Sequence, residues 1–229
     1  MLKIYRVAEG AGRTHPLAVR DVAQQLKAGD LALLPTETVY GVGVAASAYM
    51  DASAVPAPKT GYRRIFTLKQ RDLAQTVPWL VDGLDALDRY GRDVDRRTRA
   101  LAQAFWPGAL TLIVPAAPDV PAFMRAADGT VALRASASPV IQALVKACDS
   151  PLAVTSANTH GAPAPTAFCD VEPRILHGVD VAVDAGATPC RDASTIVSCM
   201  GSEVRIIRQG ALSAERIMDV LGPDGPNGK

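Results

Sequence analysis

The sequence predicts an α/β fold, with one twisted, mixed β-sheet flanked by helices on both sides. Apolar runs of strand length alternate with helical segments in the first part of the chain, and strand-like runs cluster towards its end. Continuous apolar runs between helices are typical of strands buried on both faces. With 229 residues, of which 48% are hydrophobic, the chain can form one compact domain with a sizeable core.

The helices are predicted from apolar periodicity and from residues that start or end a helix. Residues 16–28 form the first, because Leu17, Val22 and Leu26 recur roughly on one face and Gly29 suits its end. Ser138, followed by proline, predicts an N-cap, and Ser213 predicts the cap of a last helix that ends near residue 222. The other predicted helices are 61–68, 81–90, 93–105 and 139–147.

The strands are predicted from apolar runs bounded by turn residues. The run that begins at Leu31 should end at Pro35, which lacks an N–H group. Residues 106–108 (WPG) are interpreted as a helix end and turn with a packing role. Residues 45–61 are interpreted as a loop insertion, and 223–229 as a disordered tail after one domain spanning 1–222. The remaining strands are predicted at 110–114, 131–134, 151–155 and 179–183, with a hairpin of 195–197 and 204–207.

Charge and composition exclude several classes of protein. A net charge of +1 gives no general attraction to nucleic acid or membrane, so RNA could bind only at a local patch. No apolar stretch approaches the ~20 residues of a membrane span, and no signal-peptide core is visible. The four cysteines show neither zinc spacing nor a C-x-x-C pair, which favours free thiols in a reducing cytoplasm.

Residues 31–43 (LALLPTETVYGVG) are interpreted as a buried strand that runs into a ligand-facing loop. The hydroxyls of Thr36, Thr38 and Tyr40 alternate, so an extended backbone would place them on one face. Gly41 and Gly43 allow an approach that a side chain would forbid. A strand end with a plain polar turn explains the segment equally well.

Three further groups of residues suit an anionic ligand. Lys69 and Arg71 are two apart, so they converge on a polyphosphate only at a helix end or in an extended segment; the alternative is a solvated pair. Arg134, at the end of a buried strand, suits a carboxylate, or an internal salt bridge with an aspartate. Ser156 and Asn158 follow a strand and suit a ligand site, or a simple turn.

The same residues argue against a serine nucleophile and against a metal hydrolase. No serine lies in G-x-S-x-G with a histidine partner, and neither a P-loop nor a metal-ligand spacing is present. Cations, hydroxyls and amides favour positioning and charge stabilisation, as in phosphoryl or adenylyl transfer.

Seven short segments occur in a characteristic order, and together they resemble the YrdC-like family, the threonylcarbamoyl-adenylate synthases. The resemblance covers residues 16–221 and implies a single YrdC-like domain, expected here without the extra C-terminal domain that some members carry. It implies that L-threonine, bicarbonate and ATP, with Mg²⁺, give threonylcarbamoyl-AMP and pyrophosphate. The product would serve a separate transfer-RNA threonylcarbamoyl-transferase complex, with direct binding of transfer RNA left open. The segments are PTETVYGVG, KQR, WPGALTLIV, VALR, TSAN, STIV and RQG.

The resemblance also implies a role for each matching residue. Lys69 and Arg71 match the basic phosphate site and would be the catalytic pair. Thr38, Arg134 and Ser194 match residues that bind L-threonine. The residues implied in ATP binding, besides Lys69 and Arg71, are Thr130, Ser156, Asn158 and Arg208; no Mg²⁺ ligand is implied.

Three departures from the family pattern leave the substrate open. Asp72 replaces the usual proline after K-x-R, Leu80 occupies a position that is histidine in some relatives, and residues 159–161 (THG) replace a small Ser-Gly. A paralogue that uses another amino acid or a plain carbamoyl-adenylate remains an alternative. A non-catalytic RNA-binding member of the fold is another.

Overall fold

The computed structural model of the chain describes residues 2–7 and 16–222. Within them, ten strands form one mixed sheet in the order β1-β8-β2-β3-β7-β4-β6-β5-β9-β10, so the predicted α/β class is confirmed. The strands are β1 (Lys3–Arg6), β2 (Ala32–Pro35), β3 (Tyr40–Ala45), β4 (Trp79–Val81), β5 (Leu110–Pro115), β6 (Thr130–Ala135), β7 (Leu152–Ser156), β8 (Val181–Asp184), β9 (Thr195–Ser198) and β10 (Arg205–Arg208).

Residues at the helix ends explain where the helices begin and stop. The Gly29 N–H donates to the carbonyl of Leu26, at a φ of +90° that favours glycine. Ser138 and Ser213 accept hydrogen bonds from backbone N–H groups of the helices that follow them, as predicted. The helices are α1 (Pro16–Lys27), α2 (Gly61–Lys69), α3 (Ala86–Tyr90), α4 (Arg96–Phe105), α5 (Pro139–Cys148), α6 (Pro173–His177) and α7 (Ala214–Leu221).

Both faces of the sheet are buried, and successive residues of β2 show this. Leu33 packs in a core with side chains of α2, α4 and α7. Ala32 and Leu34 pack in a second core with side chains of α1 and α5. The alternation follows from the two-residue period of a strand, and it explains why β2 is a continuous apolar run.

The interpretation of residues 36–43 as one loop was wrong in its second half. The chain turns tightly at 36–39 and returns as β3, which pairs antiparallel with both β2 and β7. Gly41 and Gly43 therefore lie in a strand. A Cβ on Gly43 would lie 2.3 Å from the carbonyl oxygen of Ala153, so the glycine permits the close approach of β3 and β7.

Other elements differ in extent or were not predicted. The helix expected at 81–90 is the three-residue strand β4 followed by the shorter α3; β4 is buried between β6 and β7, and this tertiary pairing overrides local pattern. Strand β1 and helix α6 were missed. The predicted insertion 45–61 begins with a 3₁₀ turn, Ala46–Tyr49. The hairpin of β9 and β10 is confirmed. The predicted disordered tail, 223–229, lies outside the described residues.

The structure also bears on the expectations for the cysteine thiols and for membrane-spanning helices. All four cysteines are free; Cys148 and Cys199 are buried, whereas Cys169 and Cys190 are exposed. Among the helices in the described part of the chain, none is long and apolar enough to cross a membrane.

Candidate functional site

A cavity of about 530 Å³, including its open mouth, lies on the α1/α5 side of the sheet. Leu80 and Val154 belong both to its wall and to the core beneath α1 and α5, so the cavity continues from that core. Strand pairing determines which residues are neighbours in its wall: Leu80 pairs with Arg134, and Ile196 pairs with both Thr111 and Arg208. The sheet thus assembles residues from distant parts of the sequence into one wall.

The turn between β2 and β3 is held by threonine hydroxyls. Thr36 Oγ1 accepts from the N–H groups of Thr38 and Val39 and donates to the carbonyl of Val39 at 2.6 Å. It also lies 2.7 Å from Thr38 Oγ1. These bonds curl the backbone into a turn, so the expected extended arrangement of Thr36, Thr38 and Tyr40 does not form; the Tyr40 hydroxyl instead donates to Gly186.

Arg134 is buried at the C-terminal end of β6, where its guanidinium is fixed by three neighbours. Its Nε donates to the carbonyl of Gly108 at 3.0 Å, and its Nη1 donates to Thr38 Oγ1 at 2.9 Å. Its Nη2 lies 2.7 Å from Glu37 Oε1, as an ion pair without hydrogen-bond alignment. The sequence left open a salt bridge with an aspartate; the acid is Glu37. Because a guanidinium carries five N–H groups, Arg134 still has donors for a ligand.

Glu37 is the buried anion of the site. Its carboxylate accepts a short hydrogen bond from Ser136 Oγ and one of 3.0 Å from the N–H of Ala137. Burial alone would raise the pKa of this carboxyl, but the charge of Arg134 and the two hydrogen bonds outweigh burial and hold the pKa below its usual value. The turn is therefore tied to the end of β6 by a charged network.

Lys69 and Arg71 lie on either side of the end of α2, which is one of the two arrangements that would let them converge on a ligand. Gln70 adopts the left-handed conformation, with φ of +51°, and ends the helix. Lys69 Nζ donates to the carbonyls of Ser156 and Asn158, at 2.5 and 2.8 Å, and to Asn158 Oδ1 at 3.2 Å. Its three N–H groups are thus directed at the TSAN segment. Burial and the neighbouring charge of Arg71 lower the pKa of Lys69 to about 8.

Arg71 lies at the edge of the cavity. Its Nη1 donates to Thr155 Oγ1, a cavity residue, at 3.1 Å, and its Nη2 donates to the carbonyl of Thr76 at 2.6 Å. The buried Nε of Arg71 has no hydrogen-bond partner among the described residues. Burial lowers the pKa of this guanidinium below its usual value. Arg71 is therefore a partly buried cation beside the cavity, and its buried Nε is an unpaired donor.

Ser194 and Arg208 meet on the opposite wall, together with Thr111. Arg208 donates to the carbonyl of Ser194 at 2.7 Å and to its hydroxyl at 3.2 Å. The hydroxyls of Thr111 and Ser194 lie 2.8 Å apart. Burial and the charge of Arg134 lower the pKa of Arg208. Two cations, Arg134 and Arg208, line the cavity, and a third, Arg71, borders it through Thr155.

Four predicted site residues are not among those that line the cavity: Lys69, Arg71, Asn158 and Thr130. Lys69 and Arg71 are hydrogen-bonded to Ser156 and Thr155 of its wall, and Asn158 to Lys69, whereas Thr130 lies farther away. It shares a sheet face with Arg134 but lies four residues away on β6, a distance of about 13 Å. Its hydroxyl donates to Asp128 at 2.6 Å. Only a ligand that extends along β6 would reach it.

The departures from the family pattern have clear positions. Asp72 is exposed, and its Oδ1 accepts the N–H of Ala74 at 2.9 Å. Leu80 lies in the apolar part of the cavity wall. In the 159–161 segment, Thr159 binds Glu172 through both its N–H and its hydroxyl, and the N–H of His160 donates to the carbonyl of Lys69 at 2.8 Å.

The described residues do not form a magnesium site of their own. No group of three or more histidine, cysteine or acidic side chains is close enough to hold a metal ion in the ranges 2–7 and 16–222. Asp72 is bound to its own turn and Glu37 to Arg134. Magnesium often binds chiefly through substrate phosphates and water, and no step below depends on it.

Three site residues were missed by sequence reasoning: Glu37, Thr36 as a hydrogen-bond donor, and Thr111. Glu37 was visible as a carboxylate between two threonines, which is unusual directly after a buried strand. Thr111 was visible as the single hydroxyl in the apolar run LTLIV.

Fold and site together define a class: an α/β protein whose mixed sheet carries a cavity bordered by guanidinium groups and hydroxyls, suited to a small anionic ligand. Residues 24–210 match the model of the Sua5/YciO/YrdC family, described as "Telomere recombination", and the chain belongs to this family.

The relatives include proteins of very different length. The chain is 37% identical over 199 residues to a putative threonylcarbamoyl-AMP synthase of Mycobacterium tuberculosis, covering 87% of each chain. It is 30% identical to the threonylcarbamoyl-AMP synthase of Pyrococcus abyssi, covering 89% of this chain and 57% of that protein. The structure of P. abyssi Sua5 complexed with L-threonine has a TM-score of 0.84 at 28% identity, with 97% of this chain and 61% of that one covered. The chain therefore spans less than two thirds of the Pyrococcus proteins. Escherichia coli YciO, at 18% identity and a TM-score of 0.79, shows the same fold.

Proposed function

We propose that this protein is a threonylcarbamoyl-AMP synthase, a nucleotidyltransferase that converts L-threonine, bicarbonate and ATP to threonylcarbamoyl-AMP and pyrophosphate. The observation that carries the proposal is one cavity lined by Arg134, Arg208 and several hydroxyl groups, with Arg71 hydrogen-bonded to Thr155 in its wall. Two mycobacterial relatives, with mutual coverage of 84–87%, are named putative threonylcarbamoyl-AMP synthases, and the complex of a related protein with L-threonine supports the choice of amino acid.

The amino acid would bind at the buried end of the cavity. Arg134 would bind its carboxylate through the N–H groups not used by Gly108 and Thr38, since a guanidinium binds carboxylates in a planar fork. Thr38 and Ser194, on either side of Arg134, would bind the remaining polar groups. Glu37 would keep the guanidinium in place.

The nucleotide would bind along the mouth, beside β7 and β10. Arg71, with its unused Nε, and Lys69, by exchanging one carbonyl contact for a phosphate oxygen, would neutralise the triphosphate. Ser156, Asn158 and Arg208 would bind the rest of the nucleotide. Thr130 would take part only if the nucleotide extended along β6.

The chemical step would need positioning more than proton transfer. Bicarbonate takes up a proton and loses water to give carbon dioxide, and the amine of L-threonine then adds to it, which gives a carbamate and returns the proton. A carbamate oxygen then attacks the α-phosphorus, and the bond to the pyrophosphate oxygen breaks. Negative charge moves to the leaving pyrophosphate, where Lys69 and Arg71 would stabilise it. A separate transferase complex would use the product to modify adenosine in transfer RNA.

The test is pyrophosphate release from ATP and bicarbonate, with and without L-threonine. We expect release that requires L-threonine and falls at least 100-fold in Arg71→Met. Arg63→Met is a matched control, because Arg63 lies on α2, the helix that precedes Arg71, and is also partly buried. Its side chain donates to the carbonyl of Pro56 at 3.1 Å and to no other described residue. This variant should retain activity.

Each alternative predicts a different result. Release that is indifferent to L-threonine would support a paralogue that makes carbamoyl-adenylate. No release, together with binding of double-stranded RNA or transfer RNA, would support a non-catalytic RNA-binding protein. An equal loss of activity in Arg71→Met and Arg63→Met would contradict a specific role of Arg71 in the site.

A further inference from the structure

We propose that Thr111, paired with Ser194, recognises the β-hydroxyl group of the amino-acid substrate. This inference rests on the proposed function and adds a specificity-determining residue to it. It follows from identifying which hydroxyl protons already take part in hydrogen bonds within the protein. Thr111 is 2% exposed and lies in the cavity wall on β5.

The first hydroxyl to count is that of Thr38. The 2.6 Å contact of Thr36 Oγ1 with the Val39 carbonyl needs the Thr36 proton, because a carbonyl only accepts. The 2.7 Å contact between the two threonine hydroxyls then uses the Thr38 proton, while the longer 3.1 Å contacts from the N–H groups of Thr38 and Val39 share the other lone pair of Thr36 Oγ1. Arg134 donates to Thr38 as well. Thr38 therefore offers a ligand only a lone pair, and it suits a ligand N–H group.

The Thr111–Ser194 pair has the opposite polarity. Its two hydroxyls share one hydrogen bond of 2.8 Å, and Arg208 donates to Ser194 Oγ at 3.2 Å. Whichever hydroxyl donates within the pair, the other keeps a proton that no described residue accepts. The pair therefore offers one O–H donor to a ligand, and it suits a ligand acceptor.

These polarities orient an amino acid whose carboxylate binds Arg134. The amine, and the carbamate made from it, carries an N–H donor and suits Thr38. The β-hydroxyl is the remaining group that can accept a hydrogen bond, so it suits the Thr111–Ser194 pair. The β-methyl group would then face apolar residues that line the cavity, among them Ile196 and Leu80. One hydroxyl and one methyl match L-threonine.

The expected discrimination is modest. In the absence of a β-hydroxyl, Thr111 and Ser194 still bond to each other, so neither becomes a buried unpaired group. The preference should therefore reflect one net hydrogen bond, about 10-fold in kcat/KM. It should not reach the far larger ratios of sites whose polar groups are left unpaired by the wrong substrate.

The experiment compares L-threonine with L-2-aminobutyrate, which lacks the β-hydroxyl, in threonine-dependent pyrophosphate release. The wild type should prefer L-threonine about 10-fold, and Thr111→Val should lose that preference by losing kcat/KM for L-threonine alone. Thr111→Ser keeps the hydroxyl and should keep the preference. Thr98→Val is the matched control, because Thr98 is also 2% exposed and lies on α4. Thr111→Ala replaces the valine variant if that variant does not fold.

The outcomes separate this inference from the proposed function. An equal fall for both substrates in Thr111→Val would show a structural role, and an unchanged preference would exclude Thr111 from recognition; either result overturns the inference and leaves the synthase intact. Wild-type release that does not depend on L-threonine overturns the proposed function and this inference together. Selective loss in Thr111→Val, with preference kept in Thr111→Ser and Thr98→Val, supports it.

Discussion

Replacing Glu37 by glutamine removes the buried negative charge of the site while keeping the shape of the side chain. At 2.7 Å from Arg134, the ion pair has a Coulomb energy of about 6 kcal/mol at an effective dielectric constant of ~20. The cost of burying both ions offsets part of that energy in the wild type. The variant, however, leaves Arg134 buried without its partner, which typically costs about 3–5 kcal/mol. We expect the free energy of unfolding to fall by that amount and the melting temperature by about 10 °C.

Urea unfolding at pH 7, followed by far-ultraviolet circular dichroism, measures this difference. Asp88→Asn is the control, because Asp88 pairs with Arg99 at 2.5 Å on the surface and should matter by less than about 1 kcal/mol. The pKa of Glu37 is held below its usual value of 4.5, so its stabilisation is present above that pH. It is lost as the pH falls through the lower, folded-state pKa. The difference in stability between the wild type and Glu37→Gln should therefore shrink as the pH falls below 4.5 and through the lower, folded-state pKa of Glu37. Equal stability of the two proteins at pH 7 would refute the reasoning.

Three further predictions concern stability. Folding lowers the pKa of Lys69 from 10.5 to about 8, so between those pH values the unfolded chain binds the Lys69 proton more tightly than the folded protein does. The free energy of unfolding of the wild type should therefore rise by about 3 kcal/mol from pH 8 to 10.5 relative to that of Lys69→Met. An equal pH dependence of the two proteins in urea unfolding would contradict this. Gly43→Ala places a Cβ 2.3 Å from the Ala153 carbonyl and should cost about 2–3 kcal/mol or prevent folding, whereas Gly83→Ala, with nothing within 4 Å, should be nearly neutral by the same assay. Ser138→Ala removes a helix cap and should lower the free energy of unfolding by about 1 kcal/mol; a change below 0.3 kcal/mol would exclude a capping contribution.

The fold was predictable wherever local chemistry decides the structure. Helix α5 begins where a serine cap precedes proline, and α1 ends where glycine adopts a positive φ. Strand β4 was not predictable, because three residues carry too little periodicity and its strand character comes from pairing with β6 and β7. The turn at Thr36 was not predictable either, because its side-chain hydrogen bonds replace the extended backbone that alternation indicates.

The same distinction applies to the candidate site, where local sequence predicts some features and the arrangement of strands determines the others. That Lys69 and Arg71 need a helix end to converge follows from the 3.6-residue period, and the structure has that helix end at Gln70. The order of strands in the sheet determines which residues lie opposite each side chain, and no single segment of the sequence specifies that order. Glu37 could not be assigned to Arg134 from the sequence, since nearly 100 residues and several sheet strands separate them.

Strand order also explains why the site needs so few charged residues. The sheet places β6 between β4 and β5, so Arg134 stands between an apolar wall at Leu80 and a hydroxyl wall at Thr111. A charge in such a place requires a partner, and Glu37 provides one from the turn rather than from the cavity floor. The guanidinium is thereby fixed without occupying the space that a ligand needs. In the proposed site, the hydroxyl groups around Arg134 would orient the substrate, and Arg134 would bind its carboxylate end.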